Sequence, residues 1–444
     1  MKWYMKWMPE KKDNMIFLPE SIIEEREVIP RRMILQVGIW KQEVEVEISN
    51  GIPENAIGLS SAIKLPFELP EHLPYEMEIK GRKLHLGPVI AFMAFREDQD
   101  ITPESLNAYK DYLSSYSDIR GLIYICAANK TYSSAQTIEG YYYDPAAKED
   151  ETPWKYGFFP YPDVIYRKID VKKPVYNRII SKIGENMFNS YLFNKWELWQ
   201  WLSPYPYLRE HLPYTQQLEN VQSLDHMLSL YGAVYLKPIE TRNEKRLFKV
   251  DQTCGGYCFV DESAGERCFP SQEEAAEFLN GLITHEDYLI QQAVSAKRYG
   301  DHRLDFRVIL QKNSSKHWNC SGIIARLGDI TGITANFDRS GIFLTGKEAL
   351  RKVFQMNERE VFLKEQEMMD LCISACKTLD KCGGNYADLA IDMIIDESLK
   401  VWLMDIHQLH DHKLPLYSIQ DRQMYLKVVT TPFEYAKSLA GFSS

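Results

Sequence analysis

Between residues 389 and 413 the chain reads "LAIDMIIDESLKVWLMDIHQLHDHK": two arms of alternating apolar and polar residues joined by a short charged turn. A period of two, interrupted once, constrains this stretch to an antiparallel hairpin with one face against a core. With residues 397–400 as a four-residue loop, Asp396 pairs with Val401, and four steps outward Asp392 stands opposite Asp405. His407 shares a face with Asp405, Leu403 and Val401 by parity. Opposed carboxylates, about 5 Å apart at Cβ, repel unless a proton or a cation lies between them. The face is therefore either a solvated sheet surface or a divalent-cation site on Asp392, Asp405 and His407.

The 444 residues suffice for two or three domains, and 45% hydrophobic content supplies sizeable cores. With 52 Lys+Arg against 62 Asp+Glu the net charge is −10, which disfavours a phosphate-neutralising nucleic-acid surface. The start, "MKWYMKWMPEKKDN", has no apolar signal core, and no stretch approaches the roughly 18 apolar residues of a membrane span. These features lead us to expect a soluble, unsecreted protein. The cysteines begin at Cys126 and form no disulfide framework, which fits a reducing compartment. Neither Cys372, Cys376 and Cys382 nor Cys254, Cys258 and Cys268 has zinc-ligand spacing.

Up to residue 86, short strands such as "MILQVGIW" and "EVEVEIS" alternate with Pro- and Gly-containing turns, a β-rich module. From Pro88, "PVIAFMAF", a helix start at Thr102-Pro103-Glu104 and "GLIYICAA" read as a βαβ unit, with "YPDVIYRKI" as a further strand. A helix and a proline-broken loop follow over residues 188–207. Downstream, "GAVYLKPI", "YLIQQAV" and "LDFRVILQK" are strands of an α+β domain. Residues 357–384 form an amphipathic helix with Met368, Cys372, Ala375 and Leu379 on one stripe and Gly383 and Gly384 as its stop.

Lys237 closes an apolar strand, and Arg307 and Arg326 are single cations among apolar neighbours, where desolvation demands a carboxylate partner or a ligand oxyanion. Their order, with the acidic hairpin last, suits one site in which cations and a metal surround a polyphosphate.

The run "VYLKP", "YLIQQAV", "DFRVIL", "ARLG", "ITANFDRSG" and the acidic hairpin resembles the ATP-grasp superfamily. Within it, "PYPDVIYRKI", "FNKWELWQWL" and "LPYTQ" resemble the YheC/YheD family, the endospore coat-associated ATP-grasp proteins. The resemblance implies an α/β and α+β protein: a β-rich N-terminal module (1–86), a βαβ pre-ATP-grasp domain (87–190) and an ATP-grasp domain (191–444). By position it puts Lys195 and Lys237 near nucleotide phosphates, with Gln291, Gln292, Ala293 and Val294 as the adenine-reading strand edge. Arg307 and Arg326 would face the phosphates or an acyl-phosphate, Asn336 falls in the loop before the final helix, and Asp392, Asp405 and His407 would hold Mg²⁺ or Mn²⁺. The implied partners are ATP, a small carboxylate with an amine or peptide, and spore-coat proteins, in the mother-cell cytoplasm or the coat.

The sequence departs from that pattern in three places. "IETRNEKRLFKV" has no glycine where a phosphate-covering loop needs close backbone approach, Asp405-Ile406-His407 replaces Glu-x-Asn, and Tyr214 replaces an acidic residue. Two readings follow: an ATP-dependent carboxylate-amine ligase, or a non-catalytic coat-associated protein with a degenerate nucleotide site. The run Asp405, His407, His410, Asp411 and His412 also raises a transition-metal site, but its spacing reads better as a polar loop.

Overall fold

The computed structural model describes residues 2–8, 14–24, 29–132, 137–148, 151–240, 247–253, 256–261, 265–328 and 341–443. Seven strands, from Tyr4–Met8 to Lys83–Gly87, form the first sheet, in which Arg32–Val37 pairs antiparallel with Trp40–Ile48 and parallel with Lys83–Gly87. The second sheet centres on Val89–Phe95, which lies parallel to both Leu122–Ala127 and Val164–Arg167. All six residues of Leu122–Ala127 are buried, as in a strand covered on both faces.

The crossover between those strands begins where its start signal lies, with Thr102 and Ser105 forming a capping box. It then breaks into three short helical turns instead of one helix. Gly121 returns the chain with φ +77°, and a Cβ there would fall 2.2 Å from the Pro88 carbonyl oxygen.

Two further sheets hold the rest of the chain. One includes Thr215–Gln217, Tyr288–Gln292, Ala233–Pro238 and Phe248–Thr253 in spatial order; the other has Ile342–Thr345, Trp318–Leu327, His302–Lys312, Asp388–Ile395 and Val401–His407. The helix Glu358–Leu379, capped by Asn357, buries Met368, Cys372, Ala375 and Leu379 against the second of these sheets. It stops at Leu379, and Gly383 instead takes a left-handed φ of 82° in the turn that follows. The last helix, Arg422–Leu439, drives Tyr425, Val429 and Phe433 into a core shared with Phe92 and Tyr166, tying the chain's end to the second sheet.

One cysteine reading is corrected. Cys258 and Cys268 stand directly opposite on neighbouring antiparallel strands and form a disulfide. Hairpin pairing, which cysteine spacing does not reveal, brings them together. Among the described residues no helix is long and apolar enough to cross a membrane.

Candidate functional site

The last two sheets face each other across a cavity of about 1050 Å³. Lys237, near the end of Ala233–Pro238, lines it from one side. Lys195, the first residue of a helix capped by Asn194, joins it there, with its Nζ 3.2 Å from the Pro238 carbonyl oxygen. Ala293 and Val294 line the same wall just beyond the Tyr288–Gln292 strand. Gln291 instead points into a small recess behind that wall, where its Nε2 donates to Thr215 Oγ1 at 3.1 Å, and Gln292 Oε1 accepts from the Tyr214 backbone N–H. Asn336 and residues 241–246 of the glycine-free stretch lie outside the described residues.

The opposite wall carries a ladder of charges. Cross-strand register sets Arg326 opposite Asp305, Arg307 opposite Asp392, and Asp392 opposite Asp405. Arg307 forks onto Asp392, with Nε to Oδ1 and Nη2 to Oδ2 both at 2.8 Å. Arg326 grips Asp305 at 2.7 and 2.6 Å and reaches Asp392 Oδ2 at 3.1 Å, while His407 Nε2 lies 3.0 Å from that oxygen. Burial works against charge on Asp392, but the guanidiniums of Arg307 and Arg326 outweigh it and hold its carboxyl well below the usual carboxylate range. Asp305 is the partner that sequence reasoning missed. Its alternation with Arg307 in "LDFRVIL" was the available signal.

The hairpin reaches its pairing by another route than simple counting. Ile395 pairs with Val401, the loop spans five residues, and a bulge at Met404 brings the register back so that Asp392 meets Asp405. The extra residue also changes faces: Val401, Leu403 and Ile406 pack into the core, whereas Asp405 and His407 line the cavity. The parity that groups Val401 and Leu403 with Asp405 and His407 is thereby corrected.

Four residues before Asp392, on the same strand, Asp388 is fully buried and organises a second polar cluster. Its Oδ1 meets His410 Nε2 at 2.9 Å and Gln311 Nε2 at 2.9 Å, and its Oδ2 meets His412 Nε2 at 2.8 Å and the Tyr166 hydroxyl at 2.6 Å. Lys168 Nζ lies 3.5 Å from Oδ2, 2.5 Å from His412 Nε2 and 2.9 Å from the His410 carbonyl oxygen. Asp388, His410 and His412 converge as metal ligands would, yet an ammonium already sits where a cation would be held. His410 and His412 thus turn inward, Asp411 is exposed and accepts from the Lys413 N–H, and the run of residues 405–412 does not gather at one point.

Comparison with known proteins sets this geometry in a lineage. Residues 184–439, more than half of the chain, match the YheC/D-like ATP-grasp family. The chain belongs to that family. It is 24% identical over 413 residues to the endospore coat-associated protein YheD of Bacillus subtilis (strain 168), covering 88% of this chain and 86% of that one. Solved structures similar to it include the VanG D-Ala:D-Ser ligase of Enterococcus faecalis (9% identity, TM-score 0.44, 78% and 98% of the two chains). Another is the D-alanyl-alanine synthetase A of Vibrio cholerae (10% identity, TM-score 0.42, 77% and 92%).

Membership of the YheC/D-like family makes the last two sheets an ATP-grasp fold. That fold implies a divalent cation alongside ATP, and the residues that the sequence resemblance puts forward to hold one are Asp392, Asp405 and His407. They do not fit it as arranged. Both Asp392 oxygens are engaged by guanidinium N–H groups, and Asp405 Oδ1 accepts from the Ile406 N–H at 2.8 Å. Among the described residues, these three do not converge as a ligand set.

Proposed function

We propose that this chain binds ATP in the cavity between its last two sheets, and that its chemistry, where retained, is ATP-dependent ligation of a carboxylate to an amine. The observation that carries the reading is the gathering of Lys195, Lys237, Arg307 and Arg326 around one cavity of nucleotide size, from elements far apart in sequence. Lys195 and Lys237 meet the phosphates. The backbone through Ala293 and Val294 takes the adenine edge, with Gln291 and Gln292 bracing it, and Asn336 belongs to the same site. The domain division at residues 86 and 190 accompanies this reading.

In the ligase reaction, a substrate carboxylate oxygen attacks the γ-phosphorus and ADP leaves. An amine then attacks the acyl carbon of the acyl-phosphate, and inorganic phosphate leaves as the amine gives up its proton. In this reading Arg307 and Arg326 stabilise negative charge growing on the transferred phosphoryl group, and their ion pairs with Asp392 and Asp305 support it by fixing the two guanidiniums beforehand. The small carboxylate, the amine or peptide, and coat proteins stand as the proposed partners, in the mother cell or at the coat of a sporulating bacterium.

A second reading, a coat-associated binding protein without turnover, is favoured by the saturation of Asp392 and by the glycine-free stretch after Lys237. Calorimetric titration with ATP, followed by an assay for ADP release with carboxylates and amines supplied, separates the two. Binding with ADP release supports the ligase, and binding alone supports the second reading. Absence of ATP binding removes the ligase and leaves a coat-associated structural protein whose nucleotide site is degenerate.

A further inference from the structure

The counter-charge of Asp392 is where this chain parts from what its fold implies. A carboxylate has about four acceptor positions on its two oxygens. Arg307 reaches both oxygens at 2.8 Å, and Arg326 at 3.1 Å and His407 at 3.0 Å crowd onto Oδ2 beside it, so both oxygens are engaged from within the protein and Oδ2 is saturated. Because a carboxylate only accepts, His407 Nε2 carries the proton in this contact, so the nitrogen that faces Asp392 has no lone pair for a metal shared with that carboxylate. These contacts are also mechanically secured. Arg307 sits directly across from Asp392 in the strand register, and Arg326 is fastened by its own fork to Asp305. A divalent cation chelated by both oxygens of Asp392 would have to displace a bidentate guanidinium whose side chain is only 16% exposed.

We infer that Arg307 and Arg326 stand in for the divalent cation, so that this site binds the nucleotide's phosphates independently of metal. The inference rests on the nucleotide reading above and specifies how that site is charged. The guanidiniums hold Asp392 and Asp305 on the sheet, and both arginines line the cavity that receives the phosphates. Planar, always-charged forks serve this role in a way that lysine cannot. The replacement of Glu-x-Asn by Asp405-Ile406-His407 agrees with it: the acid is shorter by one methylene, and the amide oxygen is exchanged for a nitrogen spent on Asp392.

The test is calorimetric titration of the full-length protein with a non-hydrolysable ATP analogue in EDTA, in Mg²⁺ and in Mn²⁺. The affinities should agree within about fivefold, a factor well outside the scatter of such titrations. Tightening by more than that on adding either metal overturns the inference and leaves the nucleotide reading standing, whereas no binding under any condition removes both. Arg307→Met supplies the internal control. With the fork gone, Asp392 becomes available and the variant should gain a metal dependence of about fivefold or more. Indifference to metal in that variant overturns the role given to Arg307. Arg307→Lys, which keeps the charge and loses the fork, provides the same readout should Arg307→Met fail to fold.

Discussion

Asp388 and Asp392 lie four residues apart on one strand, and each is surrounded by cations and imidazole, yet they have opposite characters. Asp388 is sealed by Lys168 and Tyr166 from the second sheet, Gln311 from a neighbouring strand and the two histidines of the segment leaving the hairpin. Asp392 faces a cavity and is answered by two arginines of its own sheet. The lysine closes its pocket and joins two parts of the fold. The arginines leave theirs open, with charge presented to whatever enters. Similar chemistry thus yields a fastening in one place and a receptive surface in the other, and the difference lies in what covers each carboxylate.

The contrast can be broken most directly at Asp388. Asp388→Ala strands a buried ammonium and removes the acceptor for four further donors, so unfolding in urea should show a loss of ~3–5 kcal/mol. A loss below ~1 kcal/mol would deny the cluster its fastening role. Asp392→Asn should cost less, about 1–2 kcal/mol by the same measurement, because solvent reaches the cavity and Arg326 keeps Asp305. Equal losses at the two positions would erase the distinction.

Acid should separate the clusters further. Burial pushes the His410 imidazole down to about 3, against about 6.5 in an unfolded chain. Between those values the unfolded state binds the extra proton, so stability falls as pH drops through this window, by up to ~1.4 kcal/mol per pH unit. His410→Gln should flatten the slope between about pH 6 and 4, and an unchanged slope would place the titration elsewhere. The smallest effect is expected at His407, whose side chain is 33% exposed: His407→Asn should shift stability by less than ~1 kcal/mol. A larger shift would make Asp392 as dependent on its imidazole as Asp388 is.

Local patterns were legible in the sequence; partners were not. The buried stripe of the long helix and the hairpin at residues 389–407 follow from periodicity alone. The bulge showed only as a change of phase, from apolar Val401 and Leu403 to polar Asp405 and His407 at the same parity, and the apolar pair Leu403 and Met404 hides where the extra residue lies. Lone arginines in apolar strands announced a need for carboxylates, but which ones depends on strand order, and strand order is a tertiary fact. Asp388 was the least visible of all, since the tyrosine that donates to it is 222 residues away.

The bulge at Met404 has a consequence for how such a chain tolerates change in length. Removing that one residue would restore uninterrupted alternation without changing phase: with Val401 and Leu403 anchored in the core, Asp405 and His407 would still line the cavity and Ile406 would still pack inward. A single-codon deletion at Met404 would then remove the bulge and leave the tip of the strand in phase, as substitutions there would. Lineages carrying this hairpin are accordingly free to lose the residue at this position as well as to vary it.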